Sequence, residues 1–441
     1  MIQHPVLDQL AARGMKLGLD DVRSFLTFLG EPHRAYPVVH VAGTNGKGSV
    51  CTFVTRALVE AGYRVGTNLS PHVEAVNERI QIDGRPLEDA ALIDALEAHD
   101  RARWDWARSR RIQEVPLTYF EFLTTLAFSC FARAAVGAAV VEVGLGGRLD
   151  ATNVVEPVVA AITHIGLDHA EELGDTLAEV AAEKAGIVKA GVPVVLGPLP
   201  PEARSVVERR AEVLRCPLWR PGKELMRERR RGRWNLATPD GSLSEVALGL
   251  EGDHQGANAL VALGILHQLR RQGFLLPDDA IRRGFEAAYL PGRLEELRPG
   301  LVVDGAHNAE GARVLAAWLA ARPRPKSRIL LLGMGAGRDP VQVLEPLLPH
   351  VDEVVTTRCA HPRAKEPLEL AMALQDRVDA LLADGGPIEE ALPEVYREAE
   401  ETLVVGSLFL AGAVLSLVRE GVLDGIEPGQ GPREEAAPDE A

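Results

Sequence analysis

The sequence predicts an α/β fold: mostly parallel sheets carrying helices on both faces, divided between two domains. Three observations predict it. Short apolar runs rich in Val and Ile recur along the chain, most of them followed by a Gly-rich or polar turn and then a helical pattern. A stretch punctuated by Pro and Gly, Leu290–Gly300, separates two such series. The 441 residues, 46% hydrophobic and 25% charged, suit a water-soluble protein with room for two cores.

The expected strands are Val38–Ala42, Ala138–Val143, Val158–Thr163, Val192–Leu196, Leu301–Asp304, Arg328–Leu332, Glu353–Thr356 and Thr402–Val405. Expected helices include Ser49–Ala61, Thr176–Ala185, Ala309–Ala321 and Leu408–Arg419. Residues 1–294 are read as a domain with a phosphate-binding turn, residues 295–425 as a smaller Rossmann-like α/β domain, and residues 426–441, polar and Pro-rich, as a disordered tail. Trp219–Leu250 reads as short β-strands, and its Arg-rich run Arg227–Trp234 as a solvated hairpin, because no series of stacking aromatics accompanies it. Leu403–Val418 is apolar but shorter than the ~20 residues a membrane span requires, and Gly406 and Ser407 divide it into a strand and a core helix.

Charge and cysteine usage narrow the class of partner. Acidic residues outnumber basic ones by 63 to 48, a formal charge of −15, so there is no general attraction for nucleic acid or an anionic membrane. An anionic ligand must be held by locally concentrated donors. Cys51, Cys130, Cys216 and Cys359 form no CxxC pair, which argues against zinc clusters and disulfides and for the reducing cytoplasm. The N-terminus lacks the charged start and apolar core of a signal peptide.

The strongest local signal is VVHVAGTNGKGSV, Val38–Val50. A strand runs through glycines into a helix, so backbone N–H groups and Lys47 can converge on a phosphate. The spelling is not the general P-loop: Val41 stands where that pattern wants Gly, and Gly48 where it wants Ser or Thr. Glu142, at the end of one strand, and Asp168 with His169, after another, are candidate metal ligands at strand ends, although Mg²⁺ prefers oxygen to imidazole. Lys184 lies at a helix end, where composition and spacing assign it no special role. Asp304 and His307, in LVVDGAHNAEGA, sit on a turn between strand and helix, either as ligand groups or as a structural Asx turn and cap. RILLLGMGAGRD is not a dinucleotide fingerprint, since Arg338 occupies the third glycine position.

In order along the chain, VAGTNGKGS, SPHVEAVNERI, LTYFEFLTTLAF, VVEVGLGGRLDATN, GLDHAEELGDT, EKAGIVK, HQGANAL, PGRLE, DGAHN, HPRA and VVGSLFLAG closely resemble the folylpolyglutamate synthase/dihydrofolate synthase family of the Mur ligase superfamily. The resemblance spans about Val38 to Val418. It implies an ATP-dependent ligase of folate biosynthesis that activates a carboxylate as an acyl phosphate and joins it to L-glutamate. The acceptor would be dihydropteroate or a reduced folate, and the enzyme a cytoplasmic monomer. Asn45, Gly46, Lys47, Gly48 and Ser49 would cradle the ATP phosphates, while Asn258, Arg293, Asp304 and His307 match further ATP-contacting positions. Ser70, Glu142 and His169 would be Mg²⁺ ligands. Lys184 matches a lysine that is carbamylated in the family and so able to bind a second Mg²⁺; the family also admits K⁺. Thr118, Tyr119 and Phe120, with Leu149, Asp150 and Ala151, correspond to the pterin-binding region. His307 is the candidate base for the incoming amine, and the site would lie between the domains.

Two departures stand out. Gly337-Arg338-Asp339 replaces the usual Asp-Lys-Asp, and Glu74-Ala75-Val76 replaces the usual residues after His72. The alternatives are a sister ligase acting on a peptidoglycan precursor, against which TYFE and GGRLDATN speak, and a non-catalytic nucleotide-binding regulator. A transport or motor ATPase fits less well, because no strand ends in paired acids.

Overall fold

A computed structural model describes residues 4–11, 14, 16, 18–113, 117–358, 364–375 and 381–430. The chain forms two compact units, Met1–Leu290 and Pro291–Ala441.

The strands of the first unit are β1 (Val38–Ala42), β2 (Val65–Asn68), β3 (Ile80–Ile82), β4 (Arg85–Pro86), β5 (Ala138–Glu142), β6 (Val159–Ile162), β7 (Val194–Leu196), β8 (Leu218–Trp219), β9 (Met226–Arg230), β10 (Arg233–Thr238) and β11 (Gly241–Val246). Eight of them make one sheet in the order β4-β3-β2-β5-β1-β6-β7-β8, in which only β3 runs against the others. β1 lies at its centre, between β5 and β6, and all five of its residues are buried. Its side chains alternate between two cores. Val39 and Val41 pack with Val50, Phe53, Leu263 and Phe285 on one face, and Val38 joins Phe25, Trp106 and Phe122 on the other. Burial on both faces explains why this strand reads as a continuous apolar run, interrupted only by His40. Each such Val, Leu or Phe contributes about 1.5–3 kcal/mol on burial.

β9, β10 and β11 form a separate antiparallel sheet. The Arg-rich run is indeed a hairpin, turning at Arg231 (φ 49°) and Gly232 (φ 80°). The Arg227 and Arg229 guanidinium groups lie 5.5 and 5.6 Å from the Trp234 ring centroid, so the run packs its own cations on its own aromatic.

The second unit holds β12 (Glu295–Arg298), β13 (Leu301–Val303), β14 (Arg328–Leu332), β15 (Glu353–Arg358), β16 (Leu381–Pro387) and β17 (Glu401–Val405), in the order β12-β13-β17-β14-β15-β16. Only β12 runs antiparallel. The apolar stretch Leu403–Val418 is β17 followed by the helix Leu408–Arg419. Among the described residues no helix is long and apolar enough to cross a membrane. Of the tail expected to be disordered, residues 426–430 are described, and the Gln430 N–H donates to Arg397 O at 2.8 Å. Residues 431–441 of that tail, Cys359, and most of the HPRA motif lie outside the described residues.

Candidate active site

β1 delivers the chain into the turn Gly43–Gly46, and the helix Lys47–Glu60 starts directly after it. Gly46 is left-handed (φ 84°), and a Cβ there would stand 2.5 Å from Asn258 Oδ1, so only glycine fits. The turn is tied to the loop after β6: Thr44 N–H donates to His164 O at 2.7 Å, and Thr163 Oγ1 donates to Asn45 O at 2.6 Å. Among the described residues no side chain caps the helix start, which leaves its first N–H groups able to serve an anion. Lys47 Nζ donates to Thr44 O at 3.2 Å and lies 3.9 Å from Glu142 Oε1.

Glu142, the last residue of β5, is buried, and its Oε2 accepts the Ser70 N–H at 3.1 Å. Ser70 Oγ is buried with no hydrogen-bond partner among the described residues. A carboxylate beside an uncommitted hydroxyl is an oxygen pair of the kind Mg²⁺ prefers, so these two residues fit the expected metal. His169, left-handed at φ 56°, has its ring nitrogens 3.8 Å from Asp168 Oδ1 and 3.9 Å from Glu172 Oε2. Among the described residues no three His, Cys, Asp or Glu side chains cluster to hold a metal by themselves.

Lys184 reaches the same turn from the helix Leu177–Ala185. It is buried, and its Nζ donates to Gly43 O at 3.0 Å. Burial pushes its amine down to about 7, the Lys47 cation adds to the effect, and Asp168 and Asp150 oppose it.

The expected acceptor segments adjoin this centre. Thr118 caps the helix Tyr119–Arg133 through a capping box with Glu121. Phe120 packs on the loop after β5, where a Cβ at Gly144 would meet its ring at 2.4 Å. Leu149 is half-buried, and Asp150 and Ala151 are buried. The Asp150 carboxylate accepts Leu145 N–H and Thr152 N–H, each at 2.9 Å. Burial raises its carboxyl above the usual range, and these donors oppose the rise. The departure Glu74-Ala75-Val76 lies in a segment tied to one side chain: the Glu78 carboxylate accepts the N–H groups of Val73, Glu74 and Ala75 at 2.7, 2.8 and 2.7 Å.

Asn258 donates to Gln255 Oε1 at 2.9 Å, and Gln255 donates to Ser49 Oγ at 3.3 Å. Sequence reasoning missed Gln255, although its spacing of one helical turn from Asn258 in HQGANAL was visible. It also missed Arg79, whose Nε donates to His72 Nδ1 at 2.9 Å and whose guanidinium lies 5.7 Å from the Tyr119 ring centroid.

The second unit gathers Arg293, Asp304 and His307. Burial raises the Asp304 carboxyl, the Arg293 charge opposes the rise, and the carboxylate accepts Leu294 N–H at 2.9 Å and Ala306 N–H at 2.8 Å. His307 Nδ1 lies 2.8 Å from Gly305 O, which makes Nδ1 the donor; in the neutral ring Nε2 is then the acceptor nitrogen. Arg338, at the other departure, donates to His307 O at 3.2 Å.

Comparison with known proteins places these turns in a family. Residues 109–266 match the profile of the Mur ligase middle domain, and residues 293–417 that of the dihydrofolate synthetase C-terminal domain. The dihydrofolate synthase/folylpolyglutamate synthase of Mycobacterium tuberculosis is 34% identical over 444 residues, covering 90% of this chain and 89% of that protein. A Haloferax volcanii protein described as "Probable bifunctional folylpolyglutamate synthase/dihydropteroate synthase" is 35% identical over 409 residues, 90% of this chain but 48% of that protein, so this chain spans about half its length. Among solved structures, a bifunctional folylpolyglutamate synthase/dihydrofolate synthase with Mn, AMPPNP and L-glutamate bound superposes with a TM-score of 0.82 at 31% identity, covering 94% of this chain and 98% of that one. With sequence, fold and near full-length coverage in agreement, the chain belongs to the folylpolyglutamate synthase/dihydrofolate synthase family of Mur ligases.

Proposed function

We propose that the chain joins the amino group of L-glutamate to the carboxylate of dihydropteroate or a reduced folate, cleaving ATP to ADP and phosphate. The observation that carries this reading is the uncapped helix start at Gly46–Lys47, with Lys47 3.9 Å from Glu142 and Glu142 bonded to the Ser70 backbone. An acceptor carboxylate oxygen attacks the γ-phosphorus and the bond to the β–γ bridging oxygen breaks, giving an acyl phosphate and ADP. The glutamate amine then attacks the acyl carbon, the C–O bond to phosphate breaks, and the amine loses a proton. Charge repulsion between carboxylate and triphosphate opposes the first step. Lys47 and the N–H groups of Lys47, Gly48 and Ser49 offset it by holding the phosphates. Ser70 and Glu142, with His169, would hold Mg²⁺, which supplies further charge neutralisation when bound. Asn258, set by Gln255, lies against the turn as a nucleotide contact. In the second unit Arg293 and Asp304 are proposed ATP contacts, and His307 Nε2 the acceptor for the amine proton.

Lys184 is proposed to carry a carbamate. Its neutral amine adds CO₂ and releases a proton, replacing a cation at the phosphate turn by an anion able to serve a second Mg²⁺. The downward shift of its amine to about 7 supports this, because the neutral form is the one that reacts. The resemblance also supports K⁺ as a monovalent cation, a monomeric enzyme and a cytoplasmic location.

The test is ADP release by the purified chain with ATP, Mg²⁺ and L-glutamate, with dihydropteroate and tetrahydrofolate assayed side by side. Acceptor-dependent ADP and an amide product are expected. No ADP above background with either acceptor would remove the reading.

A further inference from the structure

Strand β1 carries a histidine at its centre, where its neighbours are valines. His40 is fully buried. Its Nε2 lies 2.9 Å from Thr152 Oγ1, and that hydroxyl donates to Asp150 Oδ1. A hydroxyl has one hydrogen. Because Thr152 gives it to the carboxylate, its oxygen accepts from His40, and the ring carries its proton on Nε2. Nδ1 is then a bare acceptor, buried and with no hydrogen-bond partner among the described residues. An orphaned polar atom opposes stability, and an apolar side chain of similar size would not carry that cost.

The far end of this chain of bonds is Asp150. Its carboxylate also accepts Leu145 N–H and Thr152 N–H, so it closes the loop that begins at Gly144 against the Phe120 ring. We propose that His40 is a positioning residue for the acceptor: acting through Thr152 from beneath the loop, it fixes the Asp150 carboxylate and with it the segment Leu149–Ala151 that faces the pterin-bearing substrate. The proposal rests on the acceptor assignment above. It explains why a strand otherwise built for packing keeps an imbalanced polar side chain, and burial, which pushes His40 down to about 3, keeps the ring neutral as the hydrogen-bond chain requires.

The test compares Thr152→Val, Thr152→Ser, His40→Leu and His40→Gln in the full chain, measuring KM for acceptor and for ATP together with the thermal midpoint. Thr152→Val and His40→Leu are expected to raise the acceptor KM about ten-fold or more with the ATP KM within about two-fold. Thr152→Ser and His40→Gln, which keep the hydroxyl and the N–H, should restore most of it. His40→Leu should unfold no earlier than the parent. Acceptor KM unchanged in both disruptive variants would overturn the proposal. So would a joint rise of both KM values with a lowered midpoint, or loss of folding in both, since each makes the chain of bonds a structural tie. An inactive parent chain would instead defeat the proposed function.

Discussion

The turn after β1 and the turn after β13 are built from similar parts: a buried strand, glycine, polar residues and a helix. They treat the start of that helix differently. In the second unit Asn308 Oδ1 accepts Gly311 N–H at 2.9 Å, so the chain caps itself. Asp339 and Ser407 do the same after β14 and β17, accepting the N–H groups of Val341 and Phe409 at 3.0 and 3.1 Å. After β1 the cap is Gly46, which has no side chain to offer, and a lysine amine stands beside the open end. Strand–turn–helix geometry therefore does not by itself make an anion site. The proposed phosphate site rests instead on a helix start left without a side-chain cap and with a lysine amine beside it.

Substitutions can break this contrast, and the largest effect is expected at its cation. Lys47→Ala should reduce ADP release by about 100-fold or more, the loss typical of a charge-stabilising donor; near-normal kcat would refute the phosphate role. Gly46→Ala should follow closely, because it forces a Cβ onto Asn258 Oδ1 at 2.5 Å in a left-handed turn. Nucleotide titration should show weakened ATP binding in a chain that still folds.

Lys184 sharpens the same comparison through pH. Its amine is near 7 in the folded chain and near 10.5 when unfolded. Below pH 7 it must be charged while buried, so its cost to stability is fully present there, and the cost is relieved as pH rises from about 7 toward 10.5. In CO₂-free buffer Lys184→Met should therefore gain most stability over the parent at low pH, with the gain shrinking as pH rises in chemical denaturation series. Added bicarbonate should raise the parent's ADP release and leave the variant's unchanged.

The smallest effect is expected at the capped turn. Asn308→Ala removes one cap, about 1 kcal/mol of stability, and should lower the urea midpoint with little change in ATP affinity. A large loss of ATP binding would show that the helix start at Asn308 serves the nucleotide as well, beyond the contacts proposed for Arg293 and Asp304.

Much of the scaffold was legible because its cause is local. Val38–Ala42 and Arg328–Leu332 were read residue for residue, since a strand buried on both faces must be apolar throughout. The proposed phosphate turn was visible as a local pattern for a similar reason: glycines, lysine and helix are consecutive. The strands β2, β3, β4, β12 and β16 were missed; all but β2 are edge or antiparallel strands whose mixed composition carries no such signature.

By itself, then, the sequence determined the parallel sheets, the open turn at Gly43–Ser49 and, through its ordered motifs, the family. Only tertiary structure decided that Lys184 meets Gly43 across 141 positions, that Ser70 meets Glu142 across 72, and that His40 meets Thr152 across 112. Periodicity and propensity report a residue's neighbours within a turn or two of chain. Contacts such as these arise when separate strand ends are brought side by side in one sheet, and the order of strands is set by packing.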